Sequence, residues 1–317
     1  MKKIWAVLLV ITLMFTSLYP MQNVNAAATT TQNEGLYLRD VGWGQYYANK
    51  ALSQLPTTIE ATFRLAKSTS MYRAGIILGN GKNENTSSTE SGTFNFGFFK
   101  GMIPYLYVTD ANNKKGNFYL FGEYECPSGN LKTGSDFTVD STQTAAMRAK
   151  FCTNEWVHMA LVNDVAENEM RLYVNGELFW TLEETSYSGT FTMSNPLVVG
   201  GDRRLYINQA FYGDIKNVAL YKDARTEMEV KSDYTSGVAG TEEGLLAAYT
   251  LGLTSDGNYP RTIEDLSGNG YTLQRYFISE AEKEASTPRQ EYDYSMAVVG
   301  DPQIVTARSV TSSKDKG

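Results

Sequence analysis

The sequence predicts an all-β protein, a two-sheet antiparallel β-sandwich, and three observations predict it. Roughly a dozen short segments carry a strand pattern, clusters of Gly, Asn, Asp and Ser separate them, and one segment alone, Ala224 to Asp233, reads as a helix. The chain has 317 residues, 42 % hydrophobic and 12 % aromatic, with 21 tyrosines, enough β-forming material for an all-β core. That length is one large domain or two ordinary ones.

Taken in order, Leu36 to Tyr47 reads as a first strand and loop. Thr57 to Leu65 has the cleanest alternation, with Ile59, Ala61, Phe63 and Leu65 on one face and Glu60, Thr62 and Arg64 on the other. Ala74 to Leu78 is a short apolar run. Asn80 to Gly92 is a polar loop. Phe94–Phe99 and Ile103–Val108 read as paired strands, followed by Asn117 to Phe121. Gly122 to Cys152 is irregular, broken by Pro127, Gly129 and Gly134, with Phe137 to Val139 as one short strand.

Trp156 to Val162 is an apolar strand. Met170 to Val174 alternates, Asn175-Gly176 makes a tight turn, and Glu177 to Leu182 runs back. Phe191 to Gly201 and Gly213 to Tyr221 return to strand. From residue 241 a strand, Gly244 to Tyr249, leads to an Asp-Leu-Ser-Gly-Asn-Gly turn, Asp265 to Gly270. There Asp265 and Ser267 bond nearby amides and the glycines supply positive φ, a structural use in preference to an ion site.

The N-terminus reads as an address. Lys2-Lys3, the apolar run Ile4 to Tyr19 and Val24-Asn25-Ala26 have the form of a signal peptide cleaved after Ala26, so a secreted protein is expected. An uncleaved anchor is the alternative. No later stretch is long and apolar enough to span a bilayer. Net charge is −7, with no basic cluster, which argues against nucleic acid as a partner. In an exported chain the two cysteines, Cys126 and Cys152, most simply form one disulfide. It would close a loop of about 25 residues and stabilise by about 3 kcal/mol. Two free thiols are the alternative.

Two blocks resemble a known family. Trp156 and His158 before an apolar strand, then Tyr173-Val174-Asn175-Gly176, are similar to the centre of laminin-G-like (LamG) jellyroll domains, within the concanavalin A-like sandwiches. Pro196 to Val230 resembles the closing pattern of that family, and the Asp265–Gly270 turn resembles a piece found beside such domains. The expected organisation is a signal peptide (1–26), a LamG-like jellyroll (27–240) and a strand-turn extension with linker (241–290). The last part, 291–317, is expected to begin a truncated enzyme domain. There Ser295 to Val299, ending at Gly300-Asp301, resembles the first strand of a calcineurin-like metallophosphoesterase. Asp301 would be its first metal ligand, Gln303 stands where that family often has histidine, and the rest of the site is missing. A last strand of the sandwich is the alternative for Ser295 to Val299.

The resemblance implies a non-catalytic binding or adhesion module for a glycan or a surface protein. Alternatives are an accessory or truncated product of a phosphoesterase, or a structural spacer. It also implies calcium in loop oxygens, with Asn163, Asp164, Asp202 and Asp214 as candidates against simple solvated loop acids. His158, the single histidine, reads as a packed structural residue. The neighbours Glu183-Glu184 point to opposite faces and cannot form a glycosidase pair by themselves. Sugar-stacking candidates are Tyr105, Tyr107, Tyr187, Tyr206 and Tyr212.

Overall fold

The computed structural model describes residues 35–37, 45–65, 75–81, 92–99, 103–109, 115–119, 141–184, 186–188, 191, 193–201, 211, 213–255 and 259–275. The chain divides into two units, Met1–Gln32 and Asn33–Gly317, and all described residues belong to the second. The expected signal peptide, Cys126, Phe137–Val139, Asp202, Tyr206, Tyr212 and Asp301 lie outside the described residues.

The strands are β1 (Leu36–Tyr37), β2 (Tyr46–Ala51), β3 (Thr58–Arg64), β4 (Ile76–Gly79), β5 (Thr93–Phe99), β6 (Ile103–Thr109) and β7 (Lys115–Tyr119). After helix α1 (Ser141–Phe151) come β8 (Val157–Asp164), β9 (Glu169–Val174), β10 (Glu177–Leu182), β11 (Pro196–Val199) and β12 (Asp214–Tyr221). Helix α2 (Glu227–Ser236) precedes β13 (Leu245–Thr250), β14 (Thr262–Ile263) and β15 (Leu273–Arg275).

These strands form two antiparallel sheets. One has seven strands in the order β1-β12-β3-β8-β9-β10, with β13 also paired to β12. The other has eight, in the order β14-β15-β2-β11-β4-β5-β6-β7. Alternation decides which side chains meet between them. Ile59, Ala61 and Phe63 of β3, Met159 and Leu161 of β8, and Leu172 and Val174 of β9 face Phe94, Phe96 and Phe98 of β5 and Leu106 and Val108 of β6 in one buried cluster. One part of that core is aromatic: Phe63 meets Phe98 at 5.5 Å and Phe211 at 5.6 Å, and Phe98 meets Phe151 at 5.0 Å, all edge to face. Such contacts add about 0.5–1.5 kcal/mol each beyond area burial.

Three sequence expectations change here. The irregular stretch before Cys152 contains α1, whose Met147 and Phe151, one turn apart, enter the core. Only two apolar anchors mark the helix, so its face is too narrow to read as periodicity. Tyr46–Ala51 is a strand: Tyr46 and Ala48 are in the core while Tyr47 and Asn49 alternate onto the opposite face. The segment after residue 241 contributes to both sheets, β13 pairing with β12 and β15 with β2. No helix of the described residues is long and apolar enough to cross a membrane.

The disulfide expectation is also corrected. Cys152 is a free thiol, 6 % exposed, packed in the core cluster after α1, and burial pushes it up to about 12. Its backbone N–H continues the helix ladder onto the Arg148 carbonyl, so α1 carries it inward.

Candidate functional site

The Trp-x-His and Tyr-Val-Asn-Gly motif builds the centre of the seven-stranded sheet. Asn175 and Gly176 take φ of 54° and 74° in the β9–β10 turn, as the Asn-Gly pair predicts. The Asn175 side-chain oxygen accepts from the His158 backbone N–H at 2.9 Å, and the Asn175 N–H donates to the His158 carbonyl at 2.8 Å. The turn therefore closes onto β8. A Cβ at Gly176 would meet the Lys231 Cα at 3.2 Å, so α2 sits against the bare glycine. The half-buried ring of Trp156 lies under the Arg64 guanidinium at 4.6 Å. Tyr173 packs with Ala160, Val162 and Val230, the contact that seats α2 on the outer face of this sheet.

His158 lies under the same helix. Its Nε2 is 3.1 Å from Glu60 Oε2, and both residues are buried. The second atom of each, His158 Nδ1 and Glu60 Oε1, has no hydrogen-bond partner. They line a pocket of about 240 Å³, part of it open to solvent, together with Thr62, Asn217, Asp233 and Val238. Burial raises the Glu60 carboxyl above the ordinary range, against the lowering effect of the His158 bond. Asp233 accepts from Tyr221 at 2.7 Å and from Arg225 at 2.8 Å, which anchors the second half of α2. The helix starts on a capping box in which Thr226 accepts from the Glu229 N–H and Glu229 accepts from the Thr226 N–H. A carboxyl–imidazole pair can move a proton, yet no Ser or Cys side chain lines this pocket to act with it.

The calcium candidates are not gathered. Asn163 is stapled to Tyr187 by two bonds of 2.9 Å, side-chain amide to carbonyl and backbone N–H to side-chain oxygen. Asp164 accepts from the N–H groups of Ala166 and Glu167 and from Arg171. Asp214, on a different strand, is buried under Arg64 at 2.9 Å. Among the described residues no three acidic, histidine or cysteine side chains come together as metal ligands. These carboxylates are engaged as turn caps and ion pairs, which spacing along the chain does not reveal. Glu183 and Glu184 are exposed turn residues after β10.

The tyrosine expectations divide similarly. Tyr105 and Tyr107 are 4 % and 2 % exposed, and Tyr187 donates to the Pro56 carbonyl at 2.7 Å. The aromatic that reaches the surface is one that sequence reasoning missed, Tyr47. Register aligns Thr262, Gln274 and Tyr47 across β14, β15 and β2. Core residues Tyr46 and Ala48 point inward, so this row faces outward. Tyr47 is half-buried, while Thr262, Gln274 and Asn49 are exposed. Thr272 and Glu264 continue the face, Thr272 donating its hydroxyl to Glu264 at 3.2 Å. The available signal was the alternation of Tyr-Tyr-Ala-Asn at 46–49, masked because both faces begin with tyrosine.

The Asp265–Gly270 turn holds this face in place. Asp265 Oδ1 accepts from the Ala248 N–H, the Ser267 N–H and the Ser267 hydroxyl, and Oδ2 accepts from the Tyr271 N–H at 3.0 Å. The Asn269 amide donates to the Leu246 carbonyl at 3.0 Å. One carboxylate thus ties β13, in the seven-stranded sheet, to the chain entering β15, in the eight-stranded sheet. Lys50 of β2 donates to the Asn269 carbonyl at 2.8 Å and closes the junction from the other side.

Comparison with known proteins agrees with this architecture. Residues 100–231 match the Laminin_G_3 model, described as the concanavalin A-like lectin/glucanases superfamily. Solved structures that resemble the chain include a candidate carbohydrate-binding protein from Bacteroides ovatus, at 18 % identity and TM-score 0.44, covering 77 % of this chain and 59 % of that one. The chain thus spans less than two thirds of that protein's length. Another is the CBM40 of the Ruminococcus gnavus IT-sialidase, at 15 % identity and TM-score 0.40, covering 63 % of this chain and 95 % of that one. A third is the SAP-like pentraxin of Limulus polyphemus, at 12 % identity and TM-score 0.40, covering 64 % of this chain and 81 % of that one. No curated protein matches the sequence. With its two antiparallel sheets and the matched segment at their centre, the chain carries a domain of the concanavalin A-like lectin/glucanases superfamily.

Proposed function

We propose that the chain is an exported, non-catalytic carbohydrate-binding module that receives a sugar chain on the outer face of its eight-stranded sheet, around Tyr47. The observation that carries this reading is the row Thr262–Gln274–Tyr47 with Asn49 beside it: an aromatic side chain at the surface, flanked by exposed amides and a hydroxyl on rigid strands. Sugars present an apolar ring face and a rim of hydroxyls. A tyrosine ring meets the first, and amide groups both donate to and accept from the second. The superfamily match supports the same class of ligand at the level of the fold. Export rests on the Lys2-Lys3 and apolar N-terminal pattern.

The test is affinity electrophoresis of the protein through gels containing a panel of polysaccharides. Retardation by at least one of them is expected, and Tyr47→Ala should weaken it about ten-fold through loss of the ring contact. No retardation in any gel would overturn glycan binding. Retardation unchanged in Tyr47→Ala would move the site away from this face.

A further inference from the structure

The same face carries a second property, its charge, and this inference rests on the glycan-binding reading above. We infer that the Tyr47 face selects uncharged glycans and rejects acidic ones, such as sialylated or uronate-containing chains. The side chains that register and alternation place on it are Thr262 and Glu264 at the β14 edge, Thr272 and Gln274 on β15, Tyr47 and Asn49 on β2, and Pro196 on β11. Among them the one charge is the carboxylate of Glu264, and it is exposed.

The cations of the same strands alternate to the other side. Lys50 reaches the Asn269 carbonyl and stands 4.7 Å over the Tyr271 ring. Arg275, paired in register with the core residue Tyr46, lies 4.5 Å over the Tyr259 ring. Arg261 precedes the outward-facing Thr262 and so alternates away from it. A one-residue slip of β15 against β2 would bring these cations outward. The Asp265 bonds to Tyr271 and Ala248 and the Lys50 bond to Asn269 hold the register against it.

A carboxylate on a glycan laid across this face would shed part of its hydration with no cation to receive it, and it would approach Glu264. The chain's net charge of −7 adds repulsion at longer range. A neutral sugar meets neither penalty. Its hydroxyls find the amides of Gln274 and Asn49 and the Thr262 hydroxyl within one row of strands, about 4.8 Å apart.

The experiment compares binding of the full chain to neutral glycans (a β-glucan, a mannan, a starch) and acidic ones (polysialic acid, hyaluronate, polygalacturonate) by biolayer interferometry, at about 50 mM and about 500 mM salt. The expected result is binding confined to a neutral glycan, with acidic glycans at least about ten-fold weaker and weakest at low salt. Glu264→Lys should raise the acidic response at low salt, because it places a cation on the face. Wild-type preference for an acidic glycan would overturn the selectivity and leave glycan binding standing. An acidic response unmoved by Glu264→Lys would also overturn it, since the charge on this face would then not decide the choice. No binding to either class would overturn the underlying reading and this one with it.

Discussion

His158 Nε2 and Glu60 Oε2 lie 3.1 Å apart in the interior of the α2–sheet contact, each with its second polar atom unpartnered. Four elements place charge or titratable groups about the pair: Asp233 and Tyr234 on α2, Arg225 before it, and Tyr221 on β12. The pair joins β3 to β8 beneath a helix rather than forming part of an open catalytic cleft.

A pH dependence follows for Glu60. Its folded carboxyl is raised above the ordinary value of 4.5, chiefly by burial. A raised group contributes stability that is fully present below the unfolded value and lost as pH rises through the folded one. The wild type should therefore lose ground to Glu60→Gln as pH climbs from the ordinary carboxyl range toward neutrality. Urea unfolding at a series of pH values measures the difference, expected to reach about 1–3 kcal/mol. A constant difference across pH would show that ionisation of Glu60 is not responsible.

Removing the partner should act in the opposite direction. His158→Ala leaves a buried carboxyl without its bond and is expected to cost about 3 kcal/mol. In the double variant with Glu60→Gln the loss should be smaller than the sum of the two single effects, because the residues are in contact.

Asn175 separates a backbone requirement from a hydrogen bond. Asn175→Gly keeps the freedom to adopt φ of 54° and removes the acceptor for His158 N–H, at a cost of about 1 kcal/mol. Asn175→Ala loses both and should cost about 2 kcal/mol, read from the urea midpoint. Equal effects would mean that the turn conformation is not under strain in the alanine variant.

Cys152 should behave as a buried thiol. With its thiol pushed up to about 12 and 6 % exposed, it is expected to resist alkylation in the folded protein and to react once urea exceeds the midpoint. Reductant should leave Tm unchanged. A fall of several degrees on reduction would reinstate a disulfide, whose loss costs about 2–5 kcal/mol.

Asp265 links stability to the proposed face. Asp265→Ala removes the acceptor for three N–H groups and the Ser267 hydroxyl. Hydrogen exchange at 262–275 should accelerate well beyond that at β3 and β8, and glycan retention should fall with it. Uniform acceleration across the protein would place the turn within the global folding unit instead.

The strands of strong alternation were legible without coordinates. Thr58–Arg64, Glu169–Val174 and the Asn-Gly turn after them follow from period two and from the tolerance of Asn and Gly for positive φ, both local properties. The sandwich class, the packed role of His158 and the structural use of the Asp265 turn followed from the same local chemistry. Helix α1 and strand β2 were not legible, because their apolar anchors are few and their partners lie far along the chain: β2 pairs with β11 and β15.

By itself the sequence determined the class of fold, the hairpin around Asn175 and the small-scale bonding of its turns, since each depends on neighbours a few residues apart. Tertiary structure alone decided which tyrosine reaches the surface. Tyr105, Tyr107 and Tyr47 all sit in strands facing away from the core, and only the packing above each strand separates them. It also decided that Asp164 and Asp214 serve arginines rather than a metal, and that Cys152 points into the core. Those outcomes depend on which distant strand lies alongside, a contact whose energy is nonlocal and leaves no periodic mark in the chain.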